Sequence, residues 1–430
     1  MSCAADEVQD LNQVEVWLDD AALGGRALVG HLTRRPSRTG DTLQFHYADG
    51  WVDQAAPIRA FALDPQLPLH RGPLVARDGA SALTGAFVDC SPDRWGKHLM
   101  DRREVIDARE HHRRVRALRP WDYLIGVNDA SRMGALRLRS RDGRYLDDHA
   151  PSAPPMTELR ALEAIAVRVE RGDSDDSDDS DHDIRWIKPL VAPGASLGGA
   201  RPKASVRDAD GTLWLAKFPS SDDRHDVGLW EFVTYRLSLA AGIAMPAARQ
   251  LALSALGTTY AVQRFDRAST ARRAYASAFT LLDVDDSEGS SYVELAHAIE
   301  NHGVAAAIAD DLRQLFRRVA FNVLVGNRDD HLRNHGFLRE PGGWRLSPAF
   351  DVNPNPDKDA HVLAIGLDDP TPDMRLLLDT CAYYRLRKTQ AGEIIEQVRA
   401  AVRGWKEQAR RCGARGAEIA VMDAVIDAER

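Results

Sequence analysis

The chain has 430 residues, more than one compact core normally holds, so two or three packed units are expected. Apolar residues make up 44% of the sequence, which is typical of a globular protein and sufficient for sizeable cores. The net charge is −8 although 56 residues are Lys or Arg, and this mildly acidic balance argues against non-specific coating of nucleic acids.

The cysteines and the N-terminus indicate the compartment. Cys3, Cys90, Cys381 and Cys412 lie far apart and form no CxxC pair, which favours a reducing environment over a disulfide framework or a zinc knuckle. The first residues have neither the basic nor the apolar region of a signal peptide. No apolar run is long enough for a transmembrane helix. We therefore expect a cytoplasmic protein with no membrane partner.

The first part of the chain alternates short apolar runs with turns. Period-two runs at Val14–Leu18 and Thr42–Tyr47 predict strands. A stretch rich in Arg and His, Trp95–Arg116, predicts a helix, and Arg132–Leu138 predicts another strand. We interpret residues 1–150 as an α+β domain of its own.

An acidic stretch follows at residues 171–183, where Asp alternates with Ser. It cannot bury apolar surface and its charges repel one another, so it is predicted to be a disordered surface loop. Asp-x-Asp spacing also occurs in calcium loops, but the turn glycine and the closing glutamate of an EF-hand are missing here.

The rest of the chain divides into a strand-rich and a helix-rich part. Strands are predicted up to about Arg264, with an amphipathic helix at Val227–Ala241 among them. Helices dominate afterwards, apart from the polar stretch Asn327–Pro356. This order suggests two lobes, residues 151–266 and 267–430, with a cleft between them.

The polar stretch contains the residues that best fit a chemical role. Asp329 and Asn334 lie five positions apart, and Asp351 ends an apolar, strand-like run further on. Phosphoryl transfer needs a carboxylate that takes the proton of the attacking hydroxyl, and an amide oxygen and a second carboxylate that hold Mg²⁺. The spacing matches that of kinase catalytic loops, and Asp351 stands where their metal-binding aspartate stands.

Two other interpretations of this stretch were weighed. A solvated hairpin would also use Asp and Asn in its turns, but it leaves the upstream elements unexplained. His331 and His335, four residues apart, could form a zinc site, but Leu332 replaces the glutamate of the zincin motif.

Upstream, Lys217 lies on an otherwise apolar strand, where a charged amine needs a partner. In kinases the partners are ATP phosphates and a helix glutamate, for which Glu231 is the candidate. An edge-strand lysine is the alternative. The Gly-rich stretch Ser196–Lys203 could bring backbone N–H groups close to phosphates, or be a flexible turn. Tyr260–Arg267 could offer its backbone to an adenine edge, or be an ordinary connection.

Taken in order, these elements resemble the HipA family of bacterial toxin kinases. The resemblance rests on five features in chain order. They are Ser-x-x-Gly-Ala-x-x-Lys at Ser196–Lys203, the strand lysine Lys217, Val-Gln-Arg-Phe-Asp-Arg at Val262–Arg267, Asp-x-His-x-x-Asn at Asp329–Asn334, and the later aspartate Asp351. Phe87–Gly96 is also similar to the first subdomain of that family. The resemblance implies an α+β, two-lobed protein-kinase-like fold with an N-terminal α+β subdomain and a helical C-terminal lobe.

The resemblance also implies a function. It suggests a serine/threonine protein kinase that uses ATP and Mg²⁺ and acts as the toxin of a type II toxin–antitoxin pair. The partner would be a HipB-like helix-turn-helix antitoxin, through which alone the chain would reach DNA, and the substrate a protein such as an aminoacyl-tRNA synthetase. The alternatives are a lipid or small-molecule kinase of the phosphoinositide-kinase type and a mainly non-catalytic corepressor.

Residue roles follow from the same resemblance. Asp329 would be the catalytic base, Lys217 would grip the phosphates, and Asn334 and Asp351 would bind Mg²⁺. The remaining nucleotide contacts would be Gly198, Gly199, Ala200, Lys203, Gln263, Phe265, Asp266 and His331. Gln263 replaces a glutamate often found there. Ser196 would be an autophosphorylation site, and its added charge would expel the Gly-rich loop and switch the kinase off.

Overall fold

The computed structural model describes residues 11–38, 40–79, 82–147, 153–171, 201–284 and 286–429. These residues form two compact units. The first contains the described residues up to Pro154 together with Asp266–Ala276, and the second contains the rest. The acidic stretch after Arg171 lies outside the described residues, as do Ser196, Gly198, Gly199 and Ala200 of the Gly-rich stretch.

The first unit is built on an antiparallel sheet of four strands in the order β3-β2-β1-β4. Its strands are β1 (Gln13–Asp20), β2 (Gly25–Arg35), β3 (Thr42–Tyr47) and β4 (Leu136–Arg139). Every second residue of β1 is buried, so the predicted alternation places one face on a core. The helices are α1 (Asp49–Val52), α2 (Gly85–Asp89), α3 (Arg94–Glu110) and α4 (Pro120–Ile125).

Two predicted elements of this unit are shorter than expected. The Arg- and His-rich helix ends at Glu110 rather than Arg116. The strand predicted from Arg132 begins only at Leu136, because Arg132 is fully buried and its guanidinium donates to backbone carbonyls. These acceptors are the carbonyls of Cys90 at 3.1 Å, Leu124 at 2.9 Å and Val127 at 2.8 Å. This need for three buried acceptors fixes an irregular backbone that a residue pattern does not reveal.

Residues 266–276 belong to the first unit, whereas the sequence division put almost all of them in the helical lobe. Asp266 is fully buried, accepts from the Gly134 backbone N–H at 2.8 Å and pairs with Arg267 at 2.5 Å. Arg272 is buried beside Asp129. Two short strands, β9 (Arg267–Ala268) and β10 (Ala271–Arg272), form a hairpin here. Buried ion pairs of this kind fix the segment within the unit.

The second unit begins with α5 (Leu159–Arg171) and contains an antiparallel sheet in the order β5-β6-β8-β7. Its strands are β5 (Lys203–Arg207), β6 (Leu213–Lys217), β7 (Ala248–Leu251) and β8 (Thr259–Gln263), with α6 (Val227–Ala240) between β6 and β7. The predicted strands and helix of this segment are therefore present. Since β6 pairs on both sides, Lys217 lies on a central strand, which rules out an edge-strand lysine.

The remainder of the second unit is mainly helical. Its helices are α7 (Ala278–Leu282), α8 (Tyr292–His302), α9 (Ile308–Val325), α10 (Met374–Asp379), α11 (Lys388–Arg403), α12 (Trp405–Arg411) and α13 (Gly416–Asp423). From Arg318 to its end α9 is buried throughout, and the helix packs on α8, α10 and α11. The predicted polar interruption contains a hairpin of β12 (Gly336–Glu340) and β13 (Gly343–Leu346), and the short strand β11 (Tyr275–Ser277) precedes α7.

Within the described ranges, none of the helices has the length and apolarity that crossing a bilayer requires. Cys90, Cys381 and Cys412 are free thiols, and the first two are buried.

Candidate active site

A largely buried lysine, with 13% of its side chain exposed, bridges two acids in the second unit. The Nζ atom of Lys217 lies 2.5 Å from Oε1 of Glu231 and 2.7 Å from Oδ1 of Asp351. Burial opposes the charge of Lys217, but Asp351 and Glu231 outweigh this effect and raise its pKa. Burial likewise raises the pKa of Asp351, but Lys217 outweighs it and holds the carboxyl below its ordinary value of 3.8. All three groups are therefore held in place and Lys217 and Asp351 stay charged at neutral pH.

Glu231 reaches Lys217 because α6 is fixed at its start. Asp226 caps the helix by accepting from the Leu229 backbone N–H at 3.0 Å, and its carboxylate also accepts from Thr258 N at 3.0 Å. Gly228 lies so close to the Thr258 carbonyl that a Cβ there would be 2.0 Å from its oxygen. Helix α6 thus packs closely on the turn that leads into β8, which sets the position of Glu231 on its second turn.

Asp351 does not lie on a strand as predicted, but in the loop that follows β13. It adopts a left-handed conformation with φ +58°, a conformation that is uncommon for non-glycine residues and clusters at functional sites. On one side of it, Phe350 stacks on Phe265 with ring centroids 5.2 Å apart. On the other side, the Val352 carbonyl accepts from the Thr234 hydroxyl of α6 at 2.6 Å. These neighbours hold the strained turn and direct the carboxylate to Lys217.

The loop with Asp329 and Asn334 begins where α9 ends. Gly326 caps α9 with φ +69°, and residues Leu332–Asn334 form a short 3₁₀ turn. The Asp329 side chain is 58% exposed and pairs with Lys358. Asn334 is buried, and its Oδ1 atom accepts no hydrogen bond in the described part of the chain. One loop thus offers an accessible carboxylate and a buried amide oxygen that still needs a partner.

The neighbouring Asp330, which the sequence analysis did not single out, is the anchor of this loop. Its Oδ2 atom accepts from the Tyr292 hydroxyl at 2.6 Å, from Asn322 Nδ2 at 2.8 Å and lies 2.8 Å from His335 Nε2. Burial raises the pKa of Asp330, but His335 and the Tyr292 hydrogen bond outweigh it and lower the pKa below 3.8. The only local signal was the Asp-x-x-x-x-His spacing, since Tyr292 and Asn322 lie far back in the sequence. His335 is engaged here rather than paired with His331.

Two further residues predicted for the site, Lys203 and His331, act electrostatically on Asp351. Lys203 is buried in β5 directly opposite Lys217, so both side chains project from one face of the sheet. Together with Lys217 and His331, Lys203 contributes to the lowered pKa of Asp351. Two lysines on opposite strand positions repel each other unless anions lie between them. This face therefore suits phosphate oxygens.

The residues predicted to line the adenine site belong to two different units. Gln263 ends β8, and its backbone N–H donates to the Ala247 carbonyl at 2.8 Å. Phe265 reaches the Asp351 loop through its stacking on Phe350. Asp266, by contrast, is fully buried in the first unit in the ion pair with Arg267, so its carboxylate serves that unit's structure.

The residues present fit Mg²⁺. Among the described residues, no three His, Cys, Asp or Glu side chains converge as a metal site by themselves. Asn334 Oδ1 and the Asp351 carboxylate are nevertheless hard oxygen donors of the kind that Mg²⁺ prefers, and Mg²⁺ typically completes its shell with substrate phosphates and water. Among the residues that the structure describes, Asn334 Oδ1 has no hydrogen-bond partner that a metal would have to displace.

A strand lysine held by a helix glutamate, above a helical part that carries an Asp/Asn loop, defines a two-lobed α+β fold of the protein-kinase-like class. A family model described as the HipA-like C-terminal domain matches residues 195–405. This match confirms, for residues 195–405, the HipA family that the sequence motifs predicted. No curated protein matches the chain.

A solved structure of a HipA protein agrees at the level of the fold. The HipA of the toxin–antitoxin system of Shewanella oneidensis MR-1, solved with HipB and operator DNA, superposes with a TM-score of 0.62 at 17% identity, covering 96% of this chain and 94% of that chain. A proinflammatory kinase of Helicobacter pylori, CtkA, covers 52% of this chain and 94% of that one, at 14% identity and a TM-score of 0.34, from which we infer nothing.

Proposed function

We propose that this protein is a serine/threonine protein kinase that takes the γ-phosphate from ATP with Mg²⁺. The observation that carries the proposal is the bridging of Glu231 and Asp351 by Lys217, beside a second buried lysine, Lys203. Two cations and two acids held together largely out of water are costly for structure alone. They match the phosphate- and metal-binding parts of a phosphotransferase.

Each residue has a step in this mechanism. Lys217 and Lys203 bind and orient the phosphates, and Asn334 and Asp351 would hold the metal. Mg²⁺, when bound, supplies charge that stabilises the phosphate oxygens during transfer. Asp329 accepts the proton of the attacking Ser or Thr hydroxyl as the new O–P bond forms, while the bond to the bridging oxygen breaks and ADP leaves.

In this structure the Asp329 carboxylate forms an ion pair with Lys358. Both partners are largely exposed, with 40% and 58% of the two side chains accessible, so the pair contributes little stability and is easily exchanged. An incoming hydroxyl can therefore displace Lys358 from the oxygen that will take its proton.

We further propose that the chain acts in the cytoplasm as the toxin of a type II toxin–antitoxin module. Support comes from the match of residues 195–405 to the HipA-like C-terminal domain and from the fold shared with the Shewanella oneidensis HipA, which was solved with HipB and operator DNA. The partner would be a HipB-like helix-turn-helix antitoxin, and contact with DNA would pass through it. The acceptor would be a protein, with an aminoacyl-tRNA synthetase as one candidate, and autophosphorylation of Ser196 would inhibit the kinase.

The direct test is transfer of label from γ-labelled ATP in the presence of Mg²⁺ to the protein itself or to added proteins. We expect label on wild type and on Asp368→Ala, an exposed aspartate used as the control, and none on Asp329→Ala. Equal label on wild type and Asp329→Ala, or no label on either, would contradict the proposal. Peptide mapping of the labelled protein then tests Ser196.

A further inference from the structure

The C-terminal segment, residues 405–427, contacts the helix that carries Glu231. Glu418 of α13 accepts from the indole Nε1–H of Trp230 at 2.8 Å through Oε2. Its other oxygen, Oε1, accepts from the Asp226 backbone N–H at 3.3 Å. One carboxylate therefore holds both the N-cap and the first full turn of α6. Carboxylates suit this position because the start of a helix carries positive partial charge.

Trp230 transmits this contact to the site because Glu231 is the next residue. Successive residues of an α-helix point about 100° apart, so one helix turn presents Trp230 and Glu231 in different directions. Trp230 is fully buried, and its ring lies 6.0 Å from that of Trp405 in the C-terminal segment. Glu231 is buried against Lys217. A rotation or shift of α6 that freed Trp230 would also move Glu231 off the lysine.

The same C-terminal segment contacts the loop that holds Asp329. The Asp427 backbone N–H donates to the Leu324 carbonyl at 2.9 Å, at the end of α9. Val425 packs on the capping Gly326 so closely that a Cβ there would be 2.4 Å from its Cγ1. Residues 405–427 thus touch both α6, which carries Glu231, and the end of α9, where the Asp329 loop begins. The relative position of these two elements decides whether Lys217, Glu231 and that loop align.

We propose that Glu418 is a positioning residue for phosphoryl transfer, acting through Trp230 and α6 on the Lys217–Glu231 pair. The proposal rests on the proposed kinase function and adds a residue that lies outside the phosphate and metal site. A displacement of about 1 Å at a reacting group is enough to cost a large factor in rate, so a carboxylate remote from the nucleotide can control it.

The experiment measures binding of ATP with Mg²⁺ at equilibrium for wild type, Glu418→Ala and the control Glu407→Ala. Glu407 lies in the same segment, is 59% exposed and pairs with the exposed Arg411. We expect Glu418→Ala to weaken binding by about threefold to thirtyfold, within the range known for residues that modulate a site without touching ligand. Glu407→Ala is expected to bind as wild type does.

A double-mutant cycle separates positioning from general destabilisation. In a Glu231→Gln background, Glu418→Ala is expected to weaken binding no further, because its effect passes through Glu231. If Glu418→Ala does not fold, Glu418→Gln, which keeps one acceptor oxygen, is measured in its place and is expected to show a smaller loss with the same cycle. Two results would overturn the inference and leave the proposed kinase function standing. One is equal ATP binding by the Glu418 and Glu407 variants. The other is that Glu418→Ala weakens ATP binding by the same factor with Glu231 present and in the Glu231→Gln background. A wild type that binds no ATP with Mg²⁺ overturns the proposed function.

Discussion

Lys217 and Asp351 are separated by 134 positions in the chain, yet the lysine Nζ lies 2.7 Å from the aspartate Oδ1. The lysine comes from a central strand and the aspartate from a strained loop after β13. Glu231 on α6 completes the group at 2.5 Å. Three different kinds of element therefore meet at one ammonium group, so that a change at Lys217 affects both stability and the proposed nucleotide site.

Replacing Lys217 with Met should destabilise the protein strongly. The change removes the counter-ion of the buried Glu231, and breaking one side of a buried ion pair costs about 3–5 kcal/mol of unfolding free energy. The loss of unfolding free energy should be smaller in mildly acid than in mildly alkaline buffer, because protonation of Glu231 removes its unpaired charge. Urea denaturation measures both effects. Lys388→Met, whose side chain is 70% exposed, is the control, and a loss no larger than its own would contradict the buried pairing.

The buried Asp330 should make the stability of the protein depend on pH in the acid range. Its pKa is lowered below 3.8, so its contribution to stability is fully present above pH 3.8 and is lost as the pH falls through the lower folded value. We expect Asp330→Asn to be less stable than wild type at neutral pH, and the difference to shrink as the pH falls below 3.8. Denaturant melts across the acid range give the measurement. A difference that stayed constant with pH would show that the carboxylate charge is not what anchors the loop.

Two glycine substitutions should have opposite signs. Gly326→Ala places a Cβ at φ +69°, 2.4 Å from Val425 Cγ1 and 2.9 Å from its carbonyl oxygen. It should lower the free energy of unfolding by more than about 1–2 kcal/mol, since a left-handed conformation alone costs that much. Gly392→Ala, within α11 and with open space around its Cβ position, should instead stabilise by about 0.5–1 kcal/mol.

Thermal or chemical unfolding of the two glycine variants side by side tests the C-terminal packing. Gly326→Ala as stable as wild type would mean that Val425 does not press on the start of the loop that holds Asp329.

The sequence revealed those parts of the site that lie within one local pattern. Asp329 and Asn334 share a loop, and Lys217 stands out because charge on an apolar strand is costly. Helix α6 followed from periodicity, and the Gly242 that comes after it has φ +75°, a conformation that favours glycine at a helix end. These features depend on neighbours only a few residues away, which a single sequence displays.

Other features depended on distant partners and could not be predicted. The buried Asp330 finds Tyr292 38 positions upstream, and Trp230 finds Glu418 188 positions downstream. Asp266 looked like part of an adenine-binding segment, but its carboxylate pairs with Arg267 and Gly134 N–H in the first unit. Such contacts follow from how separated elements pack, for which no periodic or motif signal exists. The three-way domain division and the roles of the site residues stay predictions.

The most direct measurement is a calorimetric titration of ATP into wild type and Asp351→Asn, each with and without Mg²⁺, with Asp368→Asn as the surface control. We expect wild type and the control to bind ATP much more tightly with Mg²⁺. We expect Asp351→Asn to lose that gain, because in the proposed site its carboxylate would supply one of the two metal-binding oxygens. ATP binding that is indifferent to Mg²⁺, or a Mg²⁺ effect that survives in Asp351→Asn, would contradict the proposed site.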